Sequence, residues 1–122
     1  MRQNILVVDD DKKNIFALCA VLQSRGFSCI GVQSAQEGID HLIHHKDVGM
    51  ILMDIMMPDM DGFQAISEIK KLKEFSSIPI ITITAQAMPG DREKCIGAGA
   101  NDYLSKPVDI DQLMVKIQHY LG

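Results

Sequence analysis

The sequence predicts an α/β fold: a doubly wound parallel sheet of five strands in the order 2-1-3-4-5. Short apolar runs recur along the chain without alternation, as expected of strands buried on both faces. Segments with apolar residues at helical spacing separate these runs, and strands that alternate with helices build right-handed βαβ units. The chain has 122 residues, 47% hydrophobic and 23% charged. That is the size and composition of one domain with its own core, so residues 1–122 read as a single domain.

Ile5-Leu6-Val7-Val8 is the first strand, closed by Asp9-Asp10-Asp11. Ile15, Leu18, Cys19 and Leu22 follow at i, i+3, i+4, i+7, one face of a helix that Gly26 stops. A second strand spans Phe27 to Val32. Ser34 is an N-cap, Glu37 completes a capping box, and Ile39, Leu42 and Ile43 give the second helix its apolar stripe. Met50-Ile51-Leu52-Met53 is the third strand and ends at Asp54. The loop from Ile55 to Gly62 leads into a third helix marked by Phe63, Ile66, Ile69 and Leu72. Pro79 introduces the fourth strand, Ile80 to Thr84, rich in β-branched residues. A weakly amphipathic helix is expected from Pro89 to Gly97, its end marked by the run Gly97-Ala98-Gly99-Ala100, which should approach strand five closely. A short fifth strand, Asp102 to Leu104, precedes Lys106-Pro107, and Ile110, Leu113, Met114, Ile117 and Leu121 line the last helix.

The net charge of -4 argues against a nucleic-acid surface, whose footprint would be basic. Cys19, Cys29 and Cys95 are odd in number and lack CxxC spacing, so they read as buried thiols of a reducing compartment. Acidic residues come too early for a signal peptide, and no apolar run reaches membrane-spanning length. A soluble, cytoplasmic domain without membrane insertion is expected, with no output domain in the chain.

In open α/β sheets, sites form outside the carboxyl ends of the strands. This sequence places Asp9, Asp10 and Asp11 after strand one, Asp54 after strand three, Thr84 after strand four and Lys106 after strand five. Several carboxylates in one crevice repel each other unless a cation joins them. Hard oxygen donors of this kind suit Mg²⁺. A carboxylate nucleophile with a metal, an ammonium and a hydroxyl around it is a set suited to phosphoryl transfer.

VVDDD at 7–11, MDIMMPDMDG at 53–62, ITA at 83–85 and DYLSKP at 102–107 together resemble the receiver domains of two-component response regulators, over essentially the whole chain. The resemblance implies the doubly wound, flavodoxin-like (βα)5 fold. It makes Asp54 the phospho-acceptor, with Asp10 a direct Mg²⁺ ligand, Asp9 acting largely through water, and the backbone carbonyl of Met56 a further metal oxygen. It has Thr84 and Lys106 engage the phosphoryl group and Tyr103 turn inward when Thr84 moves, and it makes Lys106-Pro107 a cis peptide. The implied partners are a histidine kinase or histidine phosphotransfer protein and a downstream output domain or protein that reads the face of helix four, strand five and helix five. A weak homodimer through the helix-four face is a further family trait. The stretch AMPGDREKCIGAGANDYLSKPVD is more similar to receivers attached to hybrid sensor histidine kinases. Met56 and Gln86 occupy positions that tune water access to the phosphoaspartate, and Asp11, where many receivers carry a neutral residue, reads as a helix cap.

Other readings fit less well. An aspartyl-nucleophile phosphatase of the haloacid dehalogenase type wants a second Asp two residues after the nucleophile, and Met56 stands there. A flavodoxin-like cofactor binder wants Ser, Thr or Gly after strand one, where three aspartates stand. A receiver-like module that binds without phosphate is the remaining alternative. Asp59-Met60-Asp61-Gly62 lacks the first Asp of a calcium loop and reads as a turn with Pro58. His41, His44 and His45 lack a further metal ligand and read as a solvated helix face. Met53 reads as core filler.

Overall fold

The computed structural model describes residues 4–55, 57, 62–85 and 90–121. Its five strands are β1 (Asn4–Val8), β2 (Ser28–Val32), β3 (Val48–Asp54), β4 (Ile80–Thr84) and β5 (Asp102–Ser105). They form one sheet in the order β2-β1-β3-β4-β5, with every neighbouring pair parallel. The helices are α1 (Lys12–Ser24), α2 (Ala35–His44), α3 (Gly62–Lys71), α4 (Asp91–Ala98) and α5 (Ile110–Leu121). The fold expected from the sequence is the fold observed.

Side chains alternate across a strand, and the apolar runs therefore feed two cores. Ile5 and Val7 of β1, Met50 and Leu52 of β3, and Ile81 and Ile83 of β4 pack with Leu18 and Leu22 of α1 and Leu113 and Ile117 of α5. Leu6, Val8, Ile51, Met53 and Ile80 face the other way, against Ile39 and Leu42 of α2, Ile66 and Ile69 of α3 and Cys95 of α4. Both faces of the central strands are thus dry, which explains why these strands read as continuous apolar runs.

Local chemistry sets the helix ends. Asp11 caps α1 by accepting from the Lys13 N–H at 2.9 Å, and Ser34 caps α2 by accepting from the Glu37 N–H at 3.1 Å. Gly99 ends α4 with φ +117°, a conformation that favours glycine. A Cβ at Gly99 would meet Lys70 and Ile66 of α3, and α4 also touches β5, as the sequence led one to expect.

Several expectations need correction. Cys19 and Cys29 are joined as a disulfide, and only Cys95, among the described residues, is a buried free thiol. The cause is tertiary: α1 packs along β2 and brings the two Cα atoms to 5.4 Å, inside the range that a disulfide spans. Ile43 is exposed, because the helical stripe of α2 turns through Ala35, Gly38, Ile39 and Leu42. His41 is half-buried rather than solvated; its ring stacks on His45 at 4.0 Å and its Nε2 is buried without a hydrogen-bond partner. An unexpected 3₁₀ turn at Lys73–Phe75 carries Phe75 into the core. The expected turn at residues 58–61 and the expected helix start at Pro89 lie outside the described residues, as do Met56, Met60 and Gln86.

Candidate functional site

Parallel register brings the chain's polar strand ends to one level. Val8 lies opposite Met53, Asp54 opposite Ile83, and Thr84 opposite Ser105. Asp9, Asp54, Thr84 and Lys106 therefore leave four adjacent strands at the same edge. The Lys106 N–H donates to the Thr84 carbonyl at 2.8 Å, which ties the end of β5 to the end of β4. Lys106-Pro107 is a cis peptide, as the resemblance implied.

The carboxylate oxygens of Asp9, Asp10 and Asp54 lie within 4.8 Å of one another, Asp9 and Asp54 buried and Asp10 exposed. Lys106 Nζ stands 3.3 Å from Asp54 Oδ2 and 3.4 Å from Asp9 Oδ2. Burial opposes the ammonium's charge, but the carboxylates of Asp54 and Asp9 outweigh it and hold the Lys106 pKa above the ordinary lysine value. Lys106 is therefore a fixed cation at neutral pH. One ammonium does not balance three carboxylates, and hard oxygens so close together fit a divalent ion such as Mg²⁺. Asp9, Asp10 and Asp54 are the side chains that could hold it.

Two features around Asp9 escaped the sequence reading. The Asn14 amide donates to Asp9 Oδ2 at 3.4 Å and the Asp11 N–H donates to Asp9 Oδ1 at 2.9 Å, so the start of α1 orients this carboxylate. The signal available was Asn14's place on the first turn after the aspartates. In addition, a groove of about 530 Å³ opens beside Asp9 and Lys106, walled by Ala17, Leu18, Val21 and Val108. It joins α1 to the segment before α5, a juxtaposition that spacing does not reveal.

Thr84 is buried at the end of β4. Tyr103, one strand over, is half-buried against the core that includes α3 and α4, and its N–H donates to Asp102 Oδ1 at 2.8 Å. Asp102 also accepts from Lys116 Nζ of α5 at 2.9 Å and from the Tyr120 hydroxyl at 3.4 Å. Burial opposes the Asp102 charge, but Lys116 and the Tyr103 N–H prevail and lower its pKa. β5 and α5 are thus bound together at the edge of the sheet. Of the residues singled out from the sequence, Asp9, Asp10, Asp54 and Lys106 share one crevice, with Thr84 beside it. Tyr103 lies apart, and Met56 is outside the described residues.

Known proteins similar to this chain are numerous. The family described as response regulator receiver domain matches residues 5–118. The polar-differentiation response regulator DivK of Brucella ovis is 32% identical over all of this chain and 98% of its own length. The receiver domain of the sensor histidine kinase PA1611 from Pseudomonas aeruginosa, solved with a magnesium ion coordinated in its active-site cleft, is 35% identical with a TM-score of 0.89, covering 100% of this chain and 99% of that one. The receiver domain of the yeast (Saccharomyces cerevisiae) response regulator Ssk1, solved with the histidine phosphotransfer protein Ypd1, is 26% identical with a TM-score of 0.88, covering 98% of this chain and 88% of that one.

Proposed function

Because the chain belongs to the response regulator receiver domain family of two-component signalling, we propose that Asp54 is its phospho-acceptor and that residues 1–122 act as one phosphorylation switch. The observation that carries this reading is the crevice itself: three carboxylates within 4.8 Å of one another, with Lys106 Nζ 3.3 Å from Asp54. An Asp54 carboxylate oxygen attacks the phosphorus of a phosphohistidine on a histidine kinase or phosphotransfer protein in the cytoplasm. A P–O bond forms at Asp54 and the P–N bond to the donor histidine breaks. Asp9, Asp10 and Asp54 would hold Mg²⁺, with Asp10, Asp54 and the Met56 carbonyl as its expected direct ligands and Asp9 acting largely through water, and the ion would supply positive charge against the phosphoryl oxygens. Lys106 adds its fixed charge and the Thr84 O–H donates a hydrogen bond to an oxygen of the transferred group.

Coupling follows from the same residues. A phosphoryl group adds charge and acceptor oxygens at Asp54. Thr84 moves toward it, Tyr103 repacks in the space released, and the face made by α4, β5 and α5 shifts between two states that an output domain or protein distinguishes. The chain is a switch with only Mg²⁺-dependent self-phosphorylation and dephosphorylation, not a turnover enzyme. Incubation with acetyl phosphate and Mg²⁺ tests this by intact mass. One phosphoryl adduct is expected, absent in Asp54→Asn and absent with a chelator. An adduct that survives Asp54→Asn would overturn the assignment.

A further inference from the structure

We propose that Cys19 and Cys29 form a reversible thiol–disulfide site that clamps α1 to the edge strand β2. Cys19 lies on α1 and Cys29 on β2, joined across the corner where the chain reverses. They stand ten positions apart in sequence, and that segment is already closed by backbone bonds: the Arg25 and Phe27 N–H groups donate to Leu22 and the Gly26 N–H to Gln23. α1 is also held independently of sulfur, because Leu18 and Leu22 sit in the core. Ile15 packs so tightly on Gly31 that a Cβ there would overlap it. Opening the bond therefore leaves the docking of α1 intact, which is what a reversible site requires and an obligatory staple does not.

The pair is also less enclosed than Cys95. Both cysteines are half-buried, and Cys19 lines an open groove with Lys12, Ile15, Phe16, Ala20 and Gly31, where Phe16 is 78% exposed. Cys95 provides the internal contrast. It is fully buried on the inner face of α4, and burial, aided by Asp91, outweighs its hydrogen bond with Thr82 and raises the thiol's pKa. Exchange with an external disulfide is thus directed to the pair on α1 and β2.

The chemistry balances with a low-molecular-weight disulfide as oxidant. One of the two thiols loses its proton and attacks a sulfur of the oxidant; a mixed disulfide forms and one thiolate leaves, taking up a proton. The second cysteine attacks the protein sulfur of that mixed disulfide, forms the Cys19–Cys29 bond and releases the second small thiol. Two protein thiols are oxidised and one external disulfide is reduced to two thiols. The helix so clamped is the one whose Asn14 holds Asp9.

The folded protein, equilibrated in graded mixtures of reduced and oxidised glutathione, then quenched in acid, unfolded and alkylated, tests this by intact mass. With three cysteines in the chain, the alkylated thiols should fall from three to one as oxidised glutathione rises, and return to three on adding dithiothreitol to the folded protein. Peptide mapping should join residues 19 and 29, and Cys29→Ser should stop at a glutathione adduct on Cys19. Three alkylated thiols throughout, a bond that dithiothreitol does not open in the folded protein, or a bond to Cys95 would each overturn the proposal.

Discussion

Replacing Lys106 by Met should destabilise the metal-free protein and tighten its hold on a divalent cation. The ammonium lies 3.3 Å from Asp54 and 3.4 Å from Asp9. At an effective dielectric of about 20, each contact contributes about 5 kcal/mol of gross attraction. The Lys106 side chain keeps 26% of its exposure and its burial opposes the charge, so screening and desolvation remove most of that. A net loss of roughly 1–3 kcal/mol remains, about 4–12 °C in melting temperature for a domain of this size. The variant leaves three carboxylates with no ammonium among them, and every ~1.4 kcal/mol of relieved repulsion is tenfold in cation affinity. Calorimetric titration with Mg²⁺ should show Lys106→Met binding about tenfold more tightly, and Mg²⁺ should raise its melting temperature further than that of the parent. A variant that binds Mg²⁺ no more tightly, or melts no lower without it, would refute this electrostatic account of the crevice.

Other perturbations probe the scaffold. Phe75 is 2% exposed, so Phe75→Ala should cost about 3–5 kcal/mol in urea denaturation; a loss under about 1 kcal/mol would mean that the turn at Lys73–Phe75 is not part of the core. At Gly62 a Cβ would meet the Ile55 Cα at 2.6 Å. Gly62→Ala must therefore push apart two backbone segments next to Asp54, costing roughly 1–3 kcal/mol, and an unchanged denaturation midpoint would contradict the packing. Burial, then the charge of His45, lowers the His41 pKa below 6.5 despite an opposing pull from Asp47. The unfolded chain then takes up a proton that the folded chain resists. The stability this group contributes is complete above pH 6.5 and is lost as pH falls through the folded value. His41→Gln should flatten that part of the pH dependence of the denaturation midpoint, and an equal slope in the variant would show that another group titrates.

Much of this architecture was legible in the sequence because its signals are local. Ile5 to Val8 and Met50 to Met53 read as buried strands since both their faces meet helices, and Ser34 with Glu37 announced a helix start that the structure repeats. The site was legible because strand ends in a parallel sheet share one edge, so Asp9, Asp54, Thr84 and Lys106 converge once the strand order is known. What escaped depends on tertiary contact. Phe75 stands alone among polar residues and joins the core only because the 3₁₀ turn folds back under α3. The Cys19–Cys29 bond arises from α1 lying on β2, which no cysteine spacing encodes. Phe16 sits beside Ile15 in the sequence, yet Ile15 packs inward while Phe16 is exposed, a one-residue rotation that apolar content does not specify.

Reductive trapping tests the central claim most directly. Borohydride cleaves an acyl phosphate and leaves homoserine where the phosphorylated aspartate stood. After incubation with acetyl phosphate and Mg²⁺, borohydride treatment and proteolysis should therefore place homoserine at position 54. Homoserine at position 9 or 10, or none in protein whose intact mass shows the phosphoryl adduct, would contradict Asp54 as the acceptor.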